Sequence, residues 1–145
     1  VVLGSQIVLA LQTVVSRTLP PRDAGVITVG SFHAGTKHNI ISDSAHLQLS
    51  VRNDDPEIRD LLLDGIRRVA VNMGRVAGLP EDKLPEVIVS DEAVPVTAND
   101  IAMTQRLRGV WQSRFGDDVM WDEKRKSMGS EDFPFFTTEP YIPST

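Results

Sequence analysis

A polar stretch at residues 33–52 carries more hydrogen-bonding side chains than a hairpin turn requires. It reads HAGTKHNIISDSAHLQLSVR, so that Lys37, His38 and Asn39 lie in a glycine-containing loop and Arg52 ends the alternating segment that follows. A turn needs only a few polar residues to reverse the chain. The surplus of donors and acceptors raises the question of a binding role for this loop.

Three histidines, His33, His38 and His46, fall within 14 residues of the same stretch. Imidazole is a common zinc ligand, but a structural zinc site needs four ligands. His46 is in register with Gln48 and Ser50 on the polar face of its segment, and no fourth ligand follows at a recognised spacing. The sequence therefore predicts no metal site here, and leaves His33 and His38 as candidates for contact with a bound molecule.

A second candidate for chemistry is the segment MGSEDFPFF at residues 128–136. Glu131 and Asp132 are neighbouring carboxylates, and paired carboxylates can perform acid–base catalysis. Adjacent residues in the first turn of a helix do not face each other, however. Ser130 followed by two acids also fits a helix start, with a serine cap and acids that match the helix dipole. Both alternatives stay open, and the second predicts a helix beginning at Ser130.

The composition restricts the partners. The chain has 145 residues, 41% of them hydrophobic, which is typical of one globular domain, although two small pieces remain possible. Its net charge of −5 argues against a nucleic-acid surface and against an anionic membrane face. The absence of cysteine is compatible with a cytoplasmic location. No apolar run approaches the roughly 20 residues of a membrane span.

The chain opens inside a helical pattern without an initiator Met, as expected of a fragment from a longer protein.

Periodicity and turn signals predict the elements that position these residues. The patterns indicate helices at residues 2–17, from 56 to a stop at 78–80, and 101–115, and strands at 25–32, 45–53, 86–89 and 118–121. The first helix is apolar on more than one side. The strand at 25–32 alternates Val26, Thr28 and Gly30 against Ile27, Val29 and Ser31. Asp55 before a proline marks the start of the second helix.

The order helix, strand, strand, helix, strand over residues 2–93 matches a βαββαβ ferredoxin-like domain that lacks its first strand. That strand is central in the fold. Without it, its place in the sheet must stay open or be filled by another strand. The fold class expected is therefore α+β.

Four segments, LALQTVVSR, GVITVGSFHAGTKHNIISDSAHLQLSVR, the pair Asn99-Asp100 and MGSEDF, together resemble the M20-type metal-dependent amidohydrolases. This family includes hippurate hydrolase and the indole-acetyl-amino-acid hydrolases. The resemblance implies that residues 1–97 are a ferredoxin-like dimerisation and lid domain, incomplete at its N-terminus. Residues 98–145 are then a partial return into the α/β catalytic domain.

The same resemblance implies that the parent protein is a homodimer that cleaves the amide bond of small N-acyl amino acids. It implies two divalent metal ions, zinc or manganese, for the parent, but none bound by this fragment. The family's metal ligands and general base have no counterpart here, so the fragment alone is expected to be inactive. A stand-alone binding or dimerisation module without catalysis is the alternative.

The resemblance also implies substrate-binding residues, which we match to this sequence position by position. Asn39 matches the asparagine of the family motif N-V-I-P-D, where a carboxamide can donate to a scissile carbonyl oxygen. Arg52 matches the arginine 13 positions later, where a guanidinium can hold a carboxylate through two hydrogen bonds. Gly129 and Ser130 match the turn that contacts the substrate carboxylate. Ser42 replaces the family's proline, which leaves the rigidity of the loop open. The structural alternatives are a left-handed turn conformation for Asn39 and a solvated strand end for Arg52.

Overall fold

The structure is a computed structural model that describes residues 1–120, 128–138 and 140–145. The chain forms two compact units, Val1–Ser90 and Asp91–Thr145.

The first unit begins with helix α1, Val2–Thr13, which continues as a π-helical turn over Val14–Thr18. The predicted helix at residues 2–17 is thus confirmed, and the prolines of TLPPRD follow its end. α1 buries only one face, which contains Gly4, Ile7 and Leu11. The expectation that the helix is covered on more than one side is wrong, because Leu9 on the other side is 71% exposed.

A hairpin follows, in which strand β1, Gly25–Ala34, pairs antiparallel with strand β2, Ala45–Asn53. Both predicted strands are confirmed. The register shifts between Val29 and Ser31, so that Gly30 is an extra residue in β1. Such a bulge moves every later side chain to the opposite face. Ser31 was predicted to share a face with Ile27, but its hydroxyl instead donates to Gln48 Oε1 at 2.7 Å on the polar face.

Helix α2 spans Pro56–Val76. Its predicted start is confirmed, since the Asp55 carboxylate accepts a hydrogen bond from the Glu57 N–H at 2.7 Å. Its predicted stop is confirmed as well. Gly78 has a φ of +76°, a left-handed conformation that glycine adopts without the steric cost of a Cβ.

The core of the first unit lies between the two helices and one face of the hairpin. Its buried members are Ile7, Leu11, Val14, Ile27, Ile58, Leu62 and Ile66. Gly65 allows the helices to approach, because a Cβ at this position would lie 2.5 Å from Val14 Cγ1. The apolar periodicity of three elements therefore converges on one cluster.

The predicted strand at residues 86–89 is wrong. The segment has no regular secondary structure, although its side chains alternate between exposed and half-buried. A strand is defined by its pairing with a neighbour, and among the described residues the sheet consists of β1 and β2 alone. An extended, apolar sequence without a partner therefore remains an unpaired segment.

The second unit contains helix α3, Ile101–Phe115, as predicted. A 3₁₀ turn follows at Asp117–Val119, where a strand at 118–121 was predicted. That prediction is wrong for its described part, and Trp121 lies outside the described residues. A short 3₁₀ helix, Phe133–Phe136, comes near the end of the chain.

The described residues thus form three α-helices and a two-stranded antiparallel sheet, which confirms the α+β class. None of the helices in this part of the chain is both long and apolar enough to cross a membrane.

Candidate functional site

Asn39 lies in the hairpin loop, at the third position of a turn closed by the Ile40 N–H, which donates to the Lys37 carbonyl at 3.4 Å. Its side chain is exposed, and within the described chain it has no hydrogen-bond partner. No non-glycine residue in the described part of the chain has a positive φ, so the left-handed alternative for Asn39 is wrong. The carboxamide is therefore free to bind a molecule outside this chain.

The loop after Asn39 is held by Ser42, the residue that stands where the related motif has proline. The Ser42 hydroxyl donates to the Ser44 carbonyl at 2.7 Å and accepts from the Ser44 N–H at 3.3 Å. A serine that bonds its own backbone two residues on restrains a loop much as a turn does. Side-chain hydrogen bonding thus restrains the chain at the position where a proline ring would.

Arg52 lies near the other end of the hairpin, on β2, directly opposite Val26. It is exposed and shares the outer face of the hairpin with a row of polar side chains: Thr28, Ser31, His33, His46, Gln48 and Ser50. The helices cover the opposite face. The hairpin consequently presents one continuous polar surface that ends at Arg52.

Asn39 and Arg52 are not brought together. β2 is one uninterrupted strand over Ala45–Asn53. At about 3.3 Å per residue, the seven steps from Ala45 to Arg52 cover roughly 23 Å. A single small molecule cannot contact both residues of one hairpin.

The histidines are placed differently from one another. His33 and His46 are directly opposite on the two strands, and both are exposed, whereas His38 lies in the loop. Across the described residues, no group of three or more His, Cys, Asp or Glu side chains could hold a metal ion. The donor set in this part of the chain does not fit a two-metal centre.

Ser130 does not cap a helix, contrary to the prediction. The 3₁₀ helix begins at Phe133, and Asp132 occupies its N-cap position without a side-chain hydrogen bond. The reason is Pro134, because a helix that began after Ser130 would place the proline ring against the Ser130 carbonyl. Glu131 instead accepts a hydrogen bond from the Thr97 hydroxyl at 3.1 Å. The two carboxylates therefore have separate environments. Gly129 and Ser130 lie in the irregular segment before them.

Asp100 organises the second unit, a role that the sequence analysis missed. Its Oδ1 accepts from the Met103 N–H at 2.8 Å and caps α3, while its Oδ2 accepts from the Tyr141 hydroxyl at 3.1 Å. The hydrogen bond to Asp100 raises the pKa of Tyr141, since the protonated phenol is the donor. An aspartate directly before an apolar helical pattern is a cap signal that could have identified it.

The chain is similar in sequence to known hydrolases. The chain is 33% identical over 133 residues to hippurate hydrolase of Campylobacter jejuni, covering 92% of this chain and 33% of that protein. It is 35% identical over 81 residues to N-acetyldiaminopimelate deacetylase of Streptococcus thermophilus, covering 56% of this chain and 22% of that protein. No protein-family model matches the chain.

A solved structure is similar over almost the whole chain. A crystal structure of a candidate aminohydrolase from methicillin-resistant Staphylococcus aureus matches with a TM-score of 0.78 and 27% identity, covering 99% of this chain and 35% of that one.

By their names these relatives are hydrolases: a hippurate hydrolase, a deacetylase and an aminohydrolase. Within that class, the chain is homologous to the M20-type amidohydrolases, as its motifs predicted. It spans about a third or less of the length of the relatives just described.

Proposed function

We propose that this chain is the lid and dimerisation part, with a section of the catalytic domain, of a metal-dependent amidohydrolase that cleaves N-acyl amino acids. Residues 1–97 form the lid with a ferredoxin-like topology, and residues 98–145 belong to the catalytic domain. The order of α1, β1, β2 and α2 supports this topology. The names of the relatives support the reaction, since hippurate and N-acetyldiaminopimelate are both N-acyl amino acids.

The placement of Asn39 and Arg52 at opposite ends of one hairpin carries the proposal. Asn39 has a free carboxamide in an exposed turn, and its N–H groups can donate to an amide carbonyl oxygen on which negative charge develops. Arg52 offers a planar guanidinium on an exposed polar face, which suits the carboxylate of an amino-acid product. Gly129 and Ser130 are proposed to contact that carboxylate as well.

Because these two residues lie too far apart for one small substrate, the lid serves two active sites. Asn39 reaches the site of the partner chain, while Arg52 acts in the site of its own chain. A homodimer with a two-fold axis makes both sites complete, since each chain gives and receives one Asn39. The dimer forms along the free edge of β1. Residues 25–29 of that edge carry neither charge nor proline that would prevent pairing with a second chain.

As the family resemblance implies, the metal ions of the parent are held by residues outside this chain. The chain alone is expected to have no hydrolytic activity. A cytoplasmic location also stays a prediction. A stand-alone binding module is disfavoured, because the similarity to hippurate hydrolase extends over 92% of the chain and includes the second unit.

Mixed dimers of the full-length enzyme test the shared site. Asn39→Ala and Arg52→Ala chains are each expected to be inactive toward N-benzoylglycine and N-acetyl amino acids. After subunit exchange, half of the dimers are mixed and half of the sites in those dimers contain both residues. Activity should return to about one quarter of the wild-type value. A mixture that stays inactive after exchange is confirmed by mass spectrometry contradicts the shared site.

Two further measurements test dimer formation independently of catalysis. Sedimentation of the folded chain at tens of micromolar should show association, and Thr28→Lys should weaken it, because a lysine on an edge strand opposes pairing with a second chain. Ser50→Lys is the control, since Ser50 lies opposite Thr28 on β2 and away from the β1 edge. A strict monomer with an intact fold would contradict the proposed edge.

A further inference from the structure

Two histidines, His33 and His46, form a pair on the outer face of the hairpin, and the proposed hydrolysis leaves this pair without a role. They lie directly opposite each other in the register of β1 and β2. Both side chains are exposed, and neither has a hydrogen-bond or ion-pair partner in the described part of the chain. Two imidazoles with free ring nitrogens therefore lie side by side at the loop end of the hairpin.

The bulge at Gly30 creates this pair. Without the extra residue in β1, the register of the strands would place Phe32 opposite His46. The extra residue places His33 there instead and moves it to the outer face. Spacing along the sequence could not reveal the pair, because register is a property of two strands together.

The inner face of the hairpin fixes the direction of both imidazoles. Phe32 packs against α1, since a Cβ at Gly4 would lie 2.7 Å from Phe32 Cζ. Leu47, which lies opposite Phe32, is half-buried. Successive side chains of a strand point to opposite faces, so His33 and His46 point outward together. Cross-strand neighbours on one face have Cβ atoms about 4.5–5.5 Å apart.

We propose that His33 and His46 together bind Zn²⁺ in a two-histidine site, hereafter the histidine clip. Zn²⁺ binds imidazole nitrogen at about 2.0–2.1 Å and prefers tetrahedral geometry, which places two ring nitrogens roughly 3.4 Å apart. Rotation about the side-chain torsions brings rings on neighbouring strands to that separation. No group of three such ligands exists among the described residues, so two coordination positions stay open for water or a carboxylate oxygen.

The ligand chemistry selects the class of cation. Imidazole suits zinc, copper and nickel, whereas Mg²⁺ and Ca²⁺ prefer oxygen ligands. The next pair on the outer face supplies no carboxylate, and its Ser31 hydroxyl already donates to Gln48 Oε1 at 2.7 Å. The histidine clip should therefore bind Zn²⁺ in preference to Mg²⁺.

A bound ion would tie the two strands together at the base of the loop. The chain between the two histidines, residues 34–45, contains Asn39. A metal that joins the ends of a loop removes conformational freedom from the unfolded chain. The ion should therefore stabilise the hairpin and restrain the loop that carries Asn39. The site requires no hydrolase activity and does not rest on the proposed function.

Titration of the 145-residue chain with Zn²⁺ tests the proposal. Proton NMR should show shifts of the imidazole resonances of His33 and His46 at one ion per chain, whereas the resonances of His38 should not shift. Mg²⁺ should shift none of them. In calorimetry, His33→Gln and His46→Gln should each weaken Zn²⁺ binding by about tenfold or more, since even changes outside the ligand shell cost that much at metal sites. His38→Gln is the matched control and should leave the affinity unchanged.

Unfolding in urea provides a second readout. At a Zn²⁺ concentration about 100 times the Kd, the unfolding equilibrium constant of the first unit should fall about hundredfold, because the unfolded chain does not hold the two imidazoles together. This effect should disappear in His46→Gln. Without metal, that variant should unfold like the wild type, since His46 is exposed.

Three outcomes would overturn the proposal. The first is an absence of histidine shifts in a chain with an intact fold. The second is equal weakening by His38→Gln, which would assign the ion to the loop. The third is one ion bound per two chains with association that requires Zn²⁺, which would assign the histidines to a contact between copies. None of these measurements involves substrate, so they are independent of the hydrolysis assays.

Discussion

The two units of the chain differ in how they use their apolar residues. In Val1–Ser90, two helices and a hairpin bury a shared cluster in which Leu62 is 0% exposed. In Asp91–Thr145, α3 has no buried residue, and Trp111 and Phe115 are 44% and 67% exposed. Hydrogen bonds around Asp100 organise the second unit instead. The comparison indicates that packing stabilises the first unit, whereas α3 in the second unit depends on capping and polar contacts.

Core truncation should give the largest difference between the units. Leu62→Ala removes buried methyl groups and leaves a cavity, so the free energy of unfolding of the first unit should fall by about 2–5 kcal/mol. Val110→Ala in α3, at a position 55% exposed, should change stability by less than about 0.5 kcal/mol. Urea unfolding followed by exchange of α2 amides and by tryptophan fluorescence measures the two units separately, since both tryptophans belong to the second unit. Comparable losses at both positions would contradict the comparison.

Glycine-to-alanine substitutions should have smaller effects on stability. The effect should be destabilising in the first unit and stabilising in the second. Gly65→Ala places a Cβ 2.5 Å from Val14 Cγ1, and we expect a net loss of about 1–3 kcal/mol from overpacking. Gly109→Ala has no neighbouring atom within 4 Å, so the better helix propensity of alanine should stabilise α3 by up to about 1 kcal/mol. The helix content measured by circular dichroism should rise for Gly109→Ala. A stabilising Gly65→Ala would show that the helices are not in close contact.

Removal of the caps should affect each unit to a similar, moderate extent. Asp55→Ala should lower the stability of the first unit by about 1 kcal/mol, since one N–H at the start of α2 loses its acceptor. Asp100→Ala should speed amide exchange at Met103 and release Tyr141. Asp100→Asn is the control, because its carbonyl oxygen can still accept the bond from Met103. Unchanged exchange at Met103 in the alanine variant would refute the capping role.

The smallest effects should depend on pH. One stabilising interaction should be lost in acid and the other in base. The Arg75 guanidinium bonds both oxygens of Glu81, at 3.0 and 3.1 Å, and holds the pKa of that carboxyl below its ordinary value of 4.5. The pair therefore stabilises the first unit above that value and is lost as pH falls through the folded pKa. The pKa of Tyr141 is raised above 10.0, so its bond to Asp100 is present below that pH and is lost as pH rises through the folded value.

Glu81→Gln should accordingly reduce stability at neutral pH and have no effect in strong acid. Tyr141→Phe should reduce the stability of the second unit at neutral pH and have no effect well above pH 10. Glu86→Gln is the control for the first variant, since Glu86 is exposed and has no ion-pair partner in the described chain. Thermal unfolding across pH measures all three. A difference that persists at the extreme pH would exclude ionisation as its cause.

Much of the fold follows from local signals in the sequence. The bounds of α3 and β2, and the start and stop of α2, agree with the predictions because caps, prolines and periodicity act within a few residues. The motif resemblance was also sufficient to predict the hydrolase homologues. The roles of Asn39, Arg52, Gly129 and Ser130 stay predictions.

Tertiary structure decided what depends on distant partners. The bulge at Gly30 reversed the faces of β1 after Val29, because register is set by two strands together. Residues 86–89 have the composition of a strand but did not form one, because a strand requires a hydrogen-bonded neighbour that is distant in sequence. The separation of Asn39 from Arg52 likewise depends on β2 being one uninterrupted strand over Ala45–Asn53. Local sequence encodes the elements, whereas pairing and burial determine which faces and edges they present.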